Sequence, residues 1–297
     1  MPPLPQIVAP NLRVSVQPLE PQAFAPFGTV IQNPEHASSK TDAGAYDVVS
    51  ANQGSALKYL DVTHMANHYD VAPSGKPAKV VMNMFVCSPR QLDNVTAVQR
   101  SGLGSTNGAS SAFSVRILER HPFTPQTFVP TGLCAADKST QYLVIVAPTR
   151  QASPGSAGDT TLPYPPHRPV RRRSITSILS RSRGDQTSDS KDKLPVTGFP
   201  ATGPQRPKGI EEPDLSQLKA FIADGSQSVT YGPGTWHAPM VVLGASSVDF
   251  VVVQYANGVA LEDCQEVAVA PKSGAQGLQV IIDQFDLDQK WIEKARL

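Results

Sequence analysis

The sequence predicts a mainly β fold: a barrel of short strands, with few short helices and one long disordered insertion. Three observations carry this. Apolar, β-branched runs of strand length recur along the chain, about nine or ten of them, with Pro- and Gly-containing turn signals between. Only one segment in the body of the chain has a convincing helical period. A stretch poor in apolar residues and rich in Pro, Ser and Arg then interrupts the strands. It does not separate two domains, because each flank alone holds too few strands to close a barrel. The expected organisation is one catalytic domain made of residues 1–148 and 210–297, with 149–209 as the insertion.

In order along the chain, residues 12–17 read as the first strand. Pro18 and Pro21 preclude a long helix through Leu19, leaving a short helical turn around Ala23, Phe24 and Phe27. The turn at Pro26-Phe27-Gly28 leads into a strand at 29–31. Residues 32–56 are polar and irregular, and 56–62 alternate as a strand. His64 and His68 read as exposed loop histidines. Residues 79–87, KVVMNMFVC, are apolar enough for a buried strand that Pro89 closes. The glycine-rich run at 100–111 lacks the Lys-Ser/Thr ending of a phosphate-binding loop and reads as a solvated linker.

Strands follow at 113–121, at 126–129 after the turn at 122–125, and at 141–147. Residues 149–209 cannot bury enough apolar surface to offset the ordering entropy. Asp214 is placed to cap a helix over 215–223, with Leu215, Leu218, Phe221 and Ile222 on one face and Gly225 at its end. Strands are expected at 227–231, 236–243, 247–255 and 264–270, and an amphipathic helix at 284–295.

Composition narrows the function. The 297 residues are 40% hydrophobic, enough for one good core, and the net charge of +1 gives no reason to expect a nucleic-acid partner. No apolar run approaches the roughly 20 residues that span a bilayer, so no membrane association is expected. The three cysteines, Cys87, Cys134 and Cys264, are odd in number, widely spaced and lack a C-x-x-C pair. That argues for a reducing compartment and against a disulfide framework or zinc knuckle. The N-terminus lacks a secretory layout, and Ala295-Arg296-Leu297 resembles a peroxisomal address. The expected location is therefore cytoplasmic or peroxisomal.

Chemistry concentrates in two stretches. Residues 118–130 read LERHPFTPQTFVP and residues 231–239 read YGPGTWHAP. In an extended strand alternate side chains share a face, so Glu119 and His121 point one way and Arg120 the other. If the two stretches are neighbouring strands, Glu119, His121, Gln126 and His237 converge inside the barrel. A carboxylate facing such an interior is costly unless paired or metal-bound. The four groups form either a metal shell or an acid–base set. Two imidazoles, a carboxylate and an amide oxygen suit Ni, Mn, Fe or Zn without selecting among them. No organic cofactor is indicated. Trp236 alternates away from His237 and reads as packing, while Tyr231 reads equally as a ligand contact or a wall.

These motifs carry a resemblance. Glu119-x-His121-x4-Gln126-x5-Gly132 and Pro233-Gly234-Thr235-Trp236-His237 resemble the two motifs of the cupin superfamily, with Glu in place of the leading His. ERHPFTPQTFVP, YGPGTWHAPMVVL, DFVVVQY and FAPFGTVI together resemble, in the same order, the motif set of the ureidoglycolate lyase family, formerly called ureidoglycolate hydrolase. The likeness covers about residues 12–148 and 213–267. Pro125 stands where that family usually has Ser, and Ala238 where it often has His.

The resemblance implies a double-stranded β-helix (jelly roll) that pairs as a homodimer. It implies a carbon–nitrogen lyase of the amidine-lyase type, cleaving (S)-ureidoglycolate to glyoxylate and urea in allantoin breakdown, part of purine catabolism and nitrogen metabolism. Glu119, His121 and His237 would then be catalytic, with a divalent metal on Glu119, His121, Gln126 and His237 if one is used. Lys58, Gln126 and Tyr231 would bind the substrate. Lys58 is chosen for the substrate carboxylate because Arg116 and Arg120 lie on the strand face opposite Glu119. The alternative is a barrel that binds small hydroxy acids, or regulates, without turnover.

Overall fold

The computed structural model describes residues 4–36, 46–95, 110–136, 138–150 and 212–283. The expected insertion beyond Arg150, most of the glycine-rich linker, the C-terminal helix and the terminal tripeptide lie outside the described residues.

The chain opens with β1 (Gln6–Ala9), β2 (Leu12–Pro18), the single helical turn α1 (Pro21–Phe24) and β3 (Gly28–Gln32). β4 (Val48–Ala51) and β5 (Ala56–Tyr59) form a hairpin. Next come β6 (Lys79–Cys87), β7 (Asp93–Val95), β8 (Ser110–Ser114), β9 (Ile117–Arg120), β10 (Gln126–Thr131) and β11 (Thr140–Ala147). The C-terminal part supplies β12 (Lys219–Ala223), β13 (Gln227–Tyr231), β14 (Trp236–His237), β15 (Val241–Gly244) and β16 (Val248–Ala256). A four-residue helix, α2 (Ala260–Asp263), precedes β17 (Gln265–Pro271) and β18 (Leu278–Asp283).

The chain divides into two compact units. The second comprises Pro34–Val62 and Pro165–Gln205, of which residues 34–36 and 46–62 are described, chiefly the β4–β5 hairpin. The first unit holds every other strand. Its larger sheet runs β1-β17-β9-β14-β11-β12-β2-β18-β8-β7, with β15 also on β11. Its smaller sheet runs β3-β13-β10-β16-β6.

β11 organises this unit. Its residues Tyr142, Val144 and Val146 face the core between the two sheets, among Phe24, Phe128, Phe221, Tyr231 and Phe250. Leu143, Ile145 and Ala147 face a second core, where the large sheet curls onto itself around Leu118, Trp236, Val267 and Val280. A strand buried on both faces has no room for polar alternation, which is why residues 141–147 read as a continuous apolar run. Each such Val, Leu or Ile contributes about 1.5–3 kcal/mol by leaving water. Past the ladder, Thr149 bridges to Pro213, and the Arg150 N–H donates to the Glu212 carbonyl at 2.8 Å.

The mainly β expectation holds, and most strands fall where they were placed. Several expectations do not hold. The helix over 215–223 is absent: one 3-10 turn at Leu215–Gln217, capped by the Asp214 carboxylate on the Ser216 N–H, gives way to β12. There Ala220 enters one core and Phe221 and Ala223 the other, while backbone ladders to β11 and β2 hold the strand. Pairing on both sides overrides the local 3.6-residue period.

The expected strand over 113–121 is two strands, because β8 pairs with β18 whereas β9 pairs with β17 and β14. The strand over 236–243 is also two. Pro239 lacks an N–H, and the register on β11 shifts by one residue between His237 and Val241, a bulge. β6, expected to be buried, is an edge strand with exposed Val80, Met82, Met84, Phe85 and Val86. An apolar run alone does not distinguish a core strand from a surface one. The three cysteines are free, and no described helix is long and apolar enough to cross a membrane.

Candidate active site

The two chemical stretches meet through the backbone before their side chains do. Gly234 sits at φ 72°, a conformation that favours glycine, and its N–H donates to the His121 carbonyl at 2.8 Å. The Pro-Gly turn therefore pins β14 against the end of β9. There Glu119 and His237 are directly paired residues on neighbouring antiparallel strands. Gln126 opens β10 and is paired with Tyr231 of β13 on one side and Gln254 of β16 on the other.

These registers bring the predicted groups together. Glu119 Oε1 is 3.4 Å from His237 Nε2, and Gln126 Oε1 is 3.1 Å from the same nitrogen. The two imidazole rings are 5.6 Å apart. One donor atom each from Glu119, His121 and His237 lies within 4.8 Å of the others. His121, Gln126 and His237 are buried, and Glu119, its side chain 20% exposed, is the member that reaches solvent.

Both imidazoles are anchored by their outer nitrogens. His121 Nδ1 lies 2.6 Å from the Asp263 carbonyl, and His237 Nδ1 lies 3.0 Å from the Thr235 carbonyl. A carbonyl only accepts, so each Nδ1 carries the hydrogen and each Nε2 turns to the pocket. Tyr231 stacks face to face on His237 at 4.0 Å and 10°. With 2% of its surface exposed, Tyr231 forms the wall behind that ring.

The electrostatics follow from burial and proximity. Burial pushes His121 down to about 4, helped by the neighbouring His237 and partly opposed by the Asp263 carbonyl and Glu119, so its imidazole is neutral at neutral pH. For Glu119, burial pushes the carboxyl up, but the hydrogen bond with His237 and the nearness of both imidazoles together pull it below the ordinary value. Glu119 is thus an ionised carboxylate. Burial pushes the Tyr231 phenol up. Burial also pushes the Cys264 thiol up to about 12, aided by Glu119, Glu266 and Asp263, which leaves it no nucleophile.

The residues fit a divalent cation. His121 Nε2 is buried and has no hydrogen-bond partner among the described residues, and it shares the pocket with a carboxylate and a second Nε2.

The other sequence-derived candidates have these surroundings. Arg120 points away from Glu119, as alternation required. It is 2% exposed, donates to Gln265 Oε1 and Thr149 Oγ1, and its guanidinium lies 4.7 Å from the Trp236 ring. Arg116 is exposed. Lys58 is an exposed residue of the second unit's hairpin, paired with Val49. Ala238 packs in the core of the curled sheet, on the strand face opposite His237. At Pro125, the buried hydroxyl of the turn is that of Thr124, which accepts from the Tyr255 N–H and donates to the Pro125 carbonyl.

Sequence reasoning missed Gln254 and Asp263. Gln254 Oε1 accepts from Gln126 Nε2 at 2.7 Å and so fixes the amide that faces His237. Its signal was a single amide in the otherwise apolar run VVVQY. Asp263 acts through its backbone, which no side-chain motif announces.

Comparison with known proteins places this geometry in context. A family described as ureidoglycolate lyase matches residues 11–275. A ureidoglycolate lyase of Schizosaccharomyces pombe is 30% identical over 253 residues, 85% of this chain and 90% of that protein. One of Saccharomyces cerevisiae is 30% identical over 243 residues, 82% of this chain and 85% of its own. One of Burkholderia mallei is 27% identical over 240 residues, 81% of each.

Proposed function

Since the chain belongs to the ureidoglycolate lyase family, we propose that the Glu119–His121–Gln126–His237 site cleaves (S)-ureidoglycolate to glyoxylate and urea. The observation that carries this is the convergence of a carboxylate and two Nε2 atoms within 4.8 Å, at a pocket with one solvent-reaching member.

The substrate carbon bears a hydroxyl, a carboxylate and a ureido nitrogen. In the cleavage the hydroxyl O–H bond and the C–N bond break, and the oxygen–carbon bond becomes the aldehyde C=O. The C–N electron pair leaves on nitrogen, which takes up a proton, and no water is added. Glu119, ionised and accessible, accepts the hydroxyl proton. His237 Nε2, 3.4 Å away, is its nearest relay toward the departing nitrogen. His121 offers a neutral Nε2 to the same space. Gln126, held by Gln254, presents an amide beside His237. Tyr231 and the buried strands around it keep bulk water from the far side of the ring.

Glu119, His121 and His237 would hold a divalent cation, with Gln126 as a neutral fourth group, and that ion would polarise the substrate's hydroxyl and carboxylate oxygens. The donor set suits Ni, Mn, Fe and Zn alike. The substrate carboxylate requires a cation.

The deciding assay supplies (S)-ureidoglycolate to the purified protein, with and without each of these metals. Glyoxylate and urea are expected in equal amounts. Ammonia in place of urea would make the protein a hydrolase, and tight hydroxy-acid binding without product would make it a binding barrel.

We further infer that the chain is a homodimer of cupin-like barrels joined through β6. This edge strand leaves Met82 68% and Val86 67% exposed and pairs only with β16 among the described strands. Such an edge is a template for a second copy, and a net charge of +1 offers little repulsion. In sedimentation, the wild-type protein is expected as a dimer and the Met82→Lys/Val86→Lys double variant as a monomer. A monomeric wild type at micromolar concentration removes the inference.

A further inference from the structure

The turn between β16 and β17 contains two carboxylates that the chemistry above does not use. Glu262, 6% exposed, accepts from the Ser74 N–H, the Ser74 hydroxyl and Asn257 Nδ2, each at 2.7 Å. Asp263 accepts from the Tyr69 hydroxyl, the Asn257 N–H and the Gly258 N–H, each at 2.8 Å. Tyr69 is itself buried, 2% exposed. Asn257 closes the network by accepting from the Val259 N–H and donating to the Lys76 carbonyl. Charge-assisted bonds of this kind are about twice as strong as neutral ones. A surface turn needs nothing so firm.

One bond links this turn to the site. The Asp263 carbonyl takes the His121 Nδ1 hydrogen at 2.6 Å. A neutral imidazole has two tautomers, and the partner of one nitrogen decides which is present. We propose that Asp263 is a positioning residue for His121: its carboxylate locks the turn, and the locked carbonyl holds His121 as the Nδ1–H tautomer with Nε2 open to the pocket. The assignment of a task to that Nε2 rests on the lyase reading; the locking itself does not.

The identity of residue 263 follows from the donors. Two backbone N–H groups and a hydroxyl converge on its side chain, and only a carboxylate meets all of them with acceptors. An amide in its place would turn an NH2 toward at least one donor, leaving the turn free to open and the carbonyl free to rotate away. Glu262 provides a matched control. It is its chain neighbour and its carboxylate takes as many donors, from Ser74 and Asn257, while its carbonyl is not the one that meets His121.

The test compares Asp263→Asn, Glu262→Gln and the milder Tyr69→Phe in the full chain. Imidazole 15N NMR reads the His121 tautomer, and Tm, kcat and KM are measured alongside. Asp263→Asn and Glu262→Gln are both expected to lower Tm. Of these two, Asp263→Asn alone is expected to move His121 to a tautomer mixture and to lower kcat on the order of 10–100-fold, the usual cost of losing such a supporting partner. KM is expected to change by about twofold or less. Tyr69→Phe should give a smaller tautomer shift of the same sign, and it decides the matter should Asp263→Asn fail to fold. A His121 signal that stays fully Nδ1–H in the Asp263 and Tyr69 variants overturns the proposal, as does one that moves as far in Glu262→Gln. The tautomer is read without turnover, so a protein inactive on ureidoglycolate would sink the lyase reading and leave this one decidable.

Discussion

Replacing His237 by alanine is expected to lower glyoxylate and urea release on the order of 10²–10⁴-fold, the range for loss of a positioned acid–base group. His237 is the hub of the site. It meets Glu119 at 3.4 Å, Gln126 at 3.1 Å and the Tyr231 ring at 4.0 Å, with 1% of its surface exposed. Truncation also opens a cavity beneath Tyr231 and leaves the Thr235 carbonyl without its partner, so Tm should fall as well. His237→Gln separates the two effects, because it fills most of the space and retains a hydrogen-bonding head. Steady-state rates on both variants check this. A glutamine variant within tenfold of wild type would make His237 a packing residue.

The Glu119→Gln variant is expected to lose activity on the same order of 10²–10⁴-fold while largely keeping Tm. The amide preserves shape and one acceptor oxygen but removes the charge. Among the described residues the Glu119 carboxylate is set beside two imidazoles, of which His121 is held neutral by burial. Burial costs this carboxylate desolvation, and the neighbouring imidazoles offset that cost, so removing the charge is expected to change stability little. Activity lost with stability kept distinguishes a working group from a structural one. Calorimetry and the product assay on one preparation provide the check. A Tm that falls in step with the rate would mean that Glu119 chiefly holds the barrel together.

The site was legible in the sequence because period and spacing act locally. Glu119 and His121 share a face by alternation, and the Pro-Gly turn before His237 needs Gly234 at a positive φ. The same rule turns Arg120 and Trp236 away from the site, and both are buried on the opposite face. What could not be read depends on neighbours far along the chain. The run from Lys219 to Ala223 has a helical period, yet β11 and β2 make it a strand. The exposure of β6 depends on where its sheet ends, which apolar content does not encode. Gln254 is a partner of Gln126 only because β16 lies beside β10 in that register. Asp263 supports His121 through a carbonyl, and every residue has one.

The bridge that follows β11 and precedes β12 divides the site between two stretches of chain. The polypeptide departs at Arg150 and returns at Glu212, one 2.8 Å hydrogen bond apart. The places where the chain leaves and re-enters the sheet are therefore fastened to each other directly. Glu119 and His121 come from before the bridge, and His237, Gln254 and Asp263 from after it. A backbone cut between Arg150 and Glu212 would leave two complementary fragments, neither with a complete site, paired through the β11–β12, β9–β14 and β10–β13 ladders.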